Sequence, residues 1–254
     1  MSNKVALVTG VSRLKGIGKA ICIELAKRSI DIFFTYWSPY DQQMPWKTSA
    51  GEPDEIQRQI ASMGVRCEKM ELDLAQEDST STLLHQVESM LGFPHILINN
   101  ATYSTVTSID SLTGSELDNH YRLNVKATIM LTLAFIKNFK LGNDGRIINL
   151  TSGQSLGPMP NEIAYAITKG AIETLTYTLA QEIASKKITI NAVNPGPNDT
   201  GWMDENLKNE LLQRFPMNRI GQPQDTANLI GFLVSEEGGW ITGQTIHSEG
   251  GFIR

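Results

Sequence analysis

Cysteine and histidine are scarce in this sequence, with two and four copies in 254 residues. Cys22 and Cys67 sit inside apolar, periodic segments, and His85, His95, His120 and His247 are scattered with no two at ligand spacing. Neither a disulfide framework nor a metal site is expected. Thiols of this kind stay reduced in the cytosol, and a cytoplasmic protein is the expectation. Long apolar runs are missing too: nothing approaches the roughly 18 residues that mark a membrane-spanning helix. The opening MSNKVALVTG lacks the basic start and long apolar stretch of a signal peptide. Positive charge is also in short supply. Lys and Arg number 22 against 27 Asp and Glu, a net charge of −5, which argues against a general nucleic-acid binder. It leaves nucleotides open, because helix N-termini and one or two basic groups can hold them.

What remains is an ordinary globular composition, 41% apolar and 19% charged, enough for a sizeable core. Short β-rich runs alternate with longer helical patterns along the chain. Strands are expected at residues 4–9, 32–36, 65–70, 95–98, 146–150, 189–193 and 244–247. Helices are expected at 16–28, 55–63, 79–90, 116–138, 162–184 and 225–233. No linker, repeat or composition shift divides the chain. The pattern predicts an α/β fold: a single doubly wound Rossmann domain over 1–254, its parallel sheet covered by helices on both faces. One segment, 37–53, is too long for a turn and rich in Pro, Gly and aromatics. It reads as a structured excursion that closes over the adenosine end of a bound dinucleotide.

The first strand runs straight into Thr9-Gly10-Val11-Ser12-Arg13-Leu14-Lys15-Gly16-Ile17-Gly18 and then a helix. Gly10, Gly16 and Gly18 let the backbone turn sharply and approach a pyrophosphate, with Ser12 and Ile17 in the same loop at the helix N-terminus. The second strand ends Phe34-Thr35-Tyr36-Trp37-Ser38, with no acid before Asp41 to accept from a ribose 2′-hydroxyl. Arg13 and Lys15 lie where a cation can meet a 2′-phosphate. NADP(H) is therefore expected, with NAD(H) the less favoured alternative. Tyr165 and Lys169 are four residues apart in a helical pattern and share a face. A phenol ionises near pH 10, and a nearby ammonium is expected to draw that value down. Thr151-Ser152-Gly153 follows the strand at 146–150, at the sheet edge where open α/β folds keep their sites. The Ser152 hydroxyl can hold a carbonyl oxygen there.

With these motifs in order the chain resembles the short-chain dehydrogenase/reductase family, most closely its 3-oxoacyl-acyl-carrier-protein reductase-like branch. The resemblance runs from Val5 to Gly250-Gly251. It rests on Thr9–Gly18, Asn99-Asn100-Ala101-Thr102, Asn124, Ser152, Tyr165 with Lys169, and Pro195-Gly196 with Thr200. It implies catalytic roles for Asn124, Ser152, Tyr165 and Lys169. Tyr165 would donate a proton as nicotinamide delivers hydride, and Lys169 would hold the ribose. Ser152 would orient the carbonyl, and Asn124 would support a water that passes protons toward Lys169. It further implies that Asp73 and Leu74 meet the adenine, Asn100 and Ala101 flank the adenosine ribose, and Pro195, Gly196 and Thr200 engage the nicotinamide end or the phosphates. The substrate would be a small or acyl-carrier-linked ketone, and the assembly a homo-oligomer, a tetramer or a dimer. Subunit contacts are expected from Thr128, Met130, Leu131, Ala134, Phe135, Ile172, Leu175, Thr176 and Leu179. Pocket walls are expected from Gln154, Leu156, Pro158, Met159, Trp202 and Met203.

Two departures stand out. The glycine loop holds five residues between Gly10 and Gly16 where the family has three, and Thr102 replaces a glycine. Enoyl reductases of the same superfamily also enlarge this loop, but they place six residues between Tyr and Lys. The three seen here favour carbonyl chemistry. The open alternatives are an NAD-dependent alcohol, sugar or steroid dehydrogenase and a non-catalytic dinucleotide sensor.

Overall fold

The strands are Val5–Val8 (β1), Asp31–Tyr36 (β2), Cys67–Glu71 (β3), Ile96–Asn99 (β4), Gly145–Leu150 (β5), Ile188–Asn194 (β6) and Thr245–His247 (β7), rich in β-branched and aromatic residues except in β3. The helices are Ile17–Lys27 (α1), Ser38–Gln43 (α2), Glu52–Ala61 (α3), Ser79–Leu91 (α4), Gly114–His120 (α5), Thr128–Asn138 (α6), Ile163–Ile183 (α7), Glu205–Leu212 (α8) and Pro223–Leu233 (α9). This computed structural model describes residues 3–44, 46, 48–140 and 144–254. The strands make one sheet in the order β3-β2-β1-β4-β5-β6-β7, and every pairing is parallel.

Side chains alternate across a strand, so each strand feeds both faces. Ala6, Val8, Ile32, Phe34 and Ile98 pack with residues of α1, α3 and α9. Val5, Leu7, Phe33, Leu97 and Ile147 pack with α4, α6 and α7 on the other side. Phe33 and Phe34 are neighbours in sequence, fully buried in opposite layers, and each such burial contributes about 1.5–3 kcal/mol. The strand order reverses direction between β1 and β4, which opens a crevice at the carboxyl ends of these strands.

A buried polar ladder holds the two central strands to the helices. Asn99 donates to Asn149 at 2.8 Å and to Thr132 at 3.0 Å. Asn149 in turn donates to Thr176 of α7 at 3.0 Å. Such groups belong in a core only when they find partners, and here they fix α7 against β5.

Three expectations need correction. The helix expected at 116–138 is broken in character: α5 and α6 are joined by a π-helical stretch, Tyr121–Ala127. The helix expected at 55–63 begins earlier, at Glu52, so the structured excursion at 37–53 holds α2 and the start of α3, and α8 was not anticipated. Of the residues expected at subunit contacts, Thr128, Leu131, Phe135, Ile172, Thr176 and Leu179 are buried within the chain itself, whereas Met130 is exposed.

Candidate active site

One cleft of about 1840 Å³ runs along the carboxyl edge of the sheet. Its first wall is the glycine loop. Gly10 has φ +73°, and a β-carbon there would stand 2.6 Å from the Ala101 Cα, so glycine is required by both backbone and space. The Asn100 side chain ties the loop down by donating to the Thr9 and Gly10 carbonyls, each at 2.8 Å. The Thr9 hydroxyl accepts from the Asn100 and Ala101 amides at 3.0 Å. The α1 N-terminus carries no side-chain cap and no acid in its first turn, which leaves its N–H groups for an anion. Gly10, Ser12, Arg13, Gly16, Ile17 and Gly18 all line the cleft, and so do Asp73, Leu74, Asn100 and Ala101.

The two expected cations part company. Arg13 faces the cleft. Its guanidinium donates to the Thr200 carbonyl at 3.1 Å, lies 3.6 Å from the Asp41 carboxylate and stacks 4.5 Å from the Trp46 ring. Lys15 is exposed, does not line the cleft and runs toward Gly201. Beside it, the Leu14 amide donates to Glu52 of α3 at 2.6 Å. Sequence reasoning missed Asp41. No acid ends β2, but α2 carries this one back to the same place, buried and accepting from Trp46 Nε1 at 3.1 Å. A second strut crosses the cleft mouth, where Tyr40 Oη and Ser104 exchange two hydrogen bonds of 3.2 Å.

At the other end stand Ser152, two residues beyond the end of β5, and Tyr165 on α7, both lining the cleft with Pro195, Gly196 and Thr200. Lys169 lies one turn below Tyr165, with its Nζ 5.4 Å from the ring centroid. The ammonium is buried and donates to the Leu150 carbonyl at 2.8 Å. Burial draws its pKa down to about 8. The expected lowering of the Tyr165 pKa does not appear. Burial pushes that phenol well above its ordinary value and the Glu162 charge adds to this, while a hydrogen bond from Ser152 pulls back.

Asn124 sits behind the cleft in the π-helical stretch, 2% exposed, with its amide fully used. It accepts from the Tyr103 amide at 2.8 Å and the Thr102 hydroxyl at 3.1 Å, and donates to the Tyr103 carbonyl at 2.8 Å and Thr168 of α7 at 3.1 Å. Thr102 thereby has a task that glycine in its place could not perform. The pocket wall differs from expectation. Pro158, Met159 and Trp202 line it, whereas Gln154, Leu156 and Met203 do not, and Arg214, Phe252 and Arg254 join it unforeseen. Among the described residues no cluster could hold a metal ion and no helix is long and apolar enough to cross a membrane.

Comparison with known proteins agrees with this geometry. A family model described as Enoyl-(Acyl carrier protein) reductase matches residues 10–253. The chain is 49% identical over 253 residues to an uncharacterized oxidoreductase, YjdA, of Bacillus subtilis, covering 99% of this chain and 97% of that one. It is 32% identical over 252 residues to the 3-oxoacyl-[acyl-carrier-protein] reductase FabG of Staphylococcus epidermidis, with 98% of each covered. Among solved structures, a short-chain dehydrogenase/reductase from Serratia marcescens superposes with a TM-score of 0.87 at 29% identity, over 99% of this chain and 98% of that one. The parallel seven-stranded sheet is thus the fold of these relatives, and the chain belongs to the short-chain dehydrogenase/reductase family, in its FabG-like branch of oxidoreductases.

Proposed function

We propose that this protein is an NADP(H)-dependent reductase that converts a ketone, 3-oxoacyl or similar, to an alcohol. The observation that carries this reading is the placing of Ser152 and Tyr165 at one end of the cleft, with Lys169 buried directly behind Tyr165, while the cleft's other wall is the uncapped glycine-loop helix. That donor set fits a dinucleotide. The loop and the α1 N-terminus would hold the pyrophosphate, Asp73 and Leu74 the adenine, Asn100 and Ala101 the adenosine ribose, and Lys169 the nicotinamide ribose. Pro195, Gly196 and Thr200 would meet the carboxamide or phosphates. When bound, the reduced nicotinamide supplies a hydride to the carbonyl carbon.

The protein's part is the oxygen. Ser152 donates a hydrogen bond that orients the carbonyl, and Tyr165 gives its proton to the oxygen as negative charge develops there. Burial keeps the phenol protonated, and the hydrogen bond from Ser152 and a bound cofactor would have to offset the raised pKa for it to give the proton up. Lys169 supplies positive charge one helical turn away. Since the Asn124 amide is fully engaged, what it offers a proton-carrying water is its backbone carbonyl, in a π-helical turn where the usual ladder is disturbed. Three residues between Tyr165 and Lys169 favour carbonyl over enoyl reduction. Arg13 in the cleft, with no acid ending β2, favours the 2′-phosphate. The Asp41 carboxylate beside Arg13 is the one observation favouring an NAD-dependent dehydrogenase. We place the enzyme in the cytosol, in keeping with its two buried free thiols.

The test pairs a ketone panel, followed through NADPH and NADH oxidation, with Tyr165→Phe. The variant should bind NADPH as wild type does and lose about 10²–10⁴-fold in turnover. Near-normal reduction by the variant would mean the proton comes from elsewhere. A wild-type preference for NADH would overturn the cofactor assignment.

A further inference from the structure

The expected pocket wall was apolar, yet the segment after β7 places a cation against the catalytic serine's neighbour. The Arg254 guanidinium lies so close over Gly153 that a β-carbon there would collide with Nη2, and one on Gly157 would stand 2.7 Å from the arginine Cδ. Glycine at both positions is what admits this side chain beside Ser152. One carboxylate holds it directly, and two further contacts fix its surroundings. Glu249 accepts from both terminal nitrogens at 2.8 and 2.7 Å. Glu249 is itself fixed by Asn194 at 2.8 Å and packs against Gly196. The neighbouring Ile253 pairs with Arg214 through two 2.9 Å hydrogen bonds, Ile253 N–H to the Arg214 carbonyl and Arg214 Nε to the Ile253 carbonyl.

Phe252 carries both cations against its ring, with the guanidinium carbons of Arg214 and Arg254 at 5.0 and 5.6 Å from its centroid. Both arginines and Phe252 line the cleft that holds Ser152 and Tyr165. A guanidinium has five N–H donors. Glu249 takes two of those on Arg254, and the Arg214 Nη groups have no partner among the described residues. Arg214 and Arg254 outnumber Glu249 on this part of the wall, with Glu162 the carboxylate lining the cleft on the Tyr165 side.

We propose that Arg254, supported by Arg214, recognises a carboxylate on the substrate, so that the preferred ketone is an oxo acid whose acid group lies a few bonds from the carbonyl. This rests on the carbonyl-reductase reading for the position of the carbonyl, held by Ser152 and Tyr165. Glu249 positions the arginine and competes with the incoming carboxylate for its donors.

The experiment uses 3-oxobutanoate, 4-oxopentanoate and 5-oxohexanoate beside their methyl esters. Each is titrated calorimetrically into enzyme saturated with NADP⁺, where no reduction can occur, and assayed separately for NADPH oxidation. Wild type should bind at least one acid about tenfold or more tighter than its ester, as a charged hydrogen bond in a shielded site allows. Arg254→Leu should erase that preference, moving the acid far more than the ester, and Arg254→Lys should keep part of it. Glu249→Gln should strengthen the preference, whereas a merely structural role would make Glu249→Gln and Arg254→Leu fail alike. Equal binding of acid and ester at every length, or a preference that survives Arg254→Leu, overturns the proposal. So does an Arg254→Leu variant that loses NADPH affinity rather than acid preference. An Arg254-dependent preference with no ketone reduced keeps the carboxylate site and sinks the reductase reading.

Discussion

Lys169 shows how one residue's environment becomes a property of the whole enzyme. It is 4% exposed, and burial takes its pKa from 10.5 to about 8, a cost of about 3 kcal/mol while it stays charged. A lysine depressed in this way binds fewer protons folded than unfolded, so stability rises with pH from about 8 upward. Above about 9 the Cys22 and Cys67 thiols oppose this, because burial keeps them protonated in the fold while they ionise in the unfolded chain. The clean window is pH 8 to 9. Melting curves of wild type and Lys169→Met should therefore converge or cross in wild type's favour across that interval, and parallel curves would refute the assignment. At this scale Gly10, Ser152, Tyr165 and Lys169 were legible because their chemistry depends on local spacing. Asp41 and Arg254 were not. Each reaches its partner only through a long-range approach, α2 folding back on the glycine loop and the last residues crossing over Gly153.

The elements were legible where periodicity is strong, as in β1, β5 and α7. They were obscured where polar residues and prolines break the pattern, as in α2 and α8. Of these, α2 matters most to the site, since it delivers Asp41 and the Tyr40 strut and leads to Trp46, which stacks on Arg13. A cation–aromatic contact of this kind is worth about 0.5–2 kcal/mol. Trp46→Ala should therefore raise the NADPH dissociation constant by up to about thirtyfold and leave turnover at saturating cofactor near wild type. Arg13→Ala should do the same more strongly and hardly affect NADH. Titration of both variants with both cofactors checks this, and unchanged NADPH affinity in both would make the strap a surface feature.

For the whole molecule the correction at the helices is instructive. Apolar positions on α6 and α7 outnumber what one sheet face seemed able to cover, yet most of the expected contact residues are absorbed by the core. What remains outward is Met130 of the expected set, joined by Ile167 and Tyr177 on α7 and by Trp240 at 98% exposure. We propose that these, rather than the buried set, serve self-association, as a tetramer or a dimer. Sedimentation at micromolar concentration should give a multiple of 28.1 kDa, and Ile167→Glu with Tyr177→Glu should reduce it. A wild-type mass of one chain would sink the idea.

The π-helical stretch Tyr121–Ala127 carries a consequence for how this sequence tolerates insertions and deletions. Removing one residue from an ordinary helix turns everything beyond it by about 100°. A widened turn is a surplus residue already accommodated, so loss of one residue between 121 and 127 would heal the helix instead of breaking it. The healed helix would present Thr132 and Phe135 as before if the cut preceded Asn124, but would swing Asn124 out of reach of Tyr103 and Thr168. Length in this stretch is thus a ruler for the active site, and a sequence one residue shorter here would keep the fold while losing the register between Asn124 and α7.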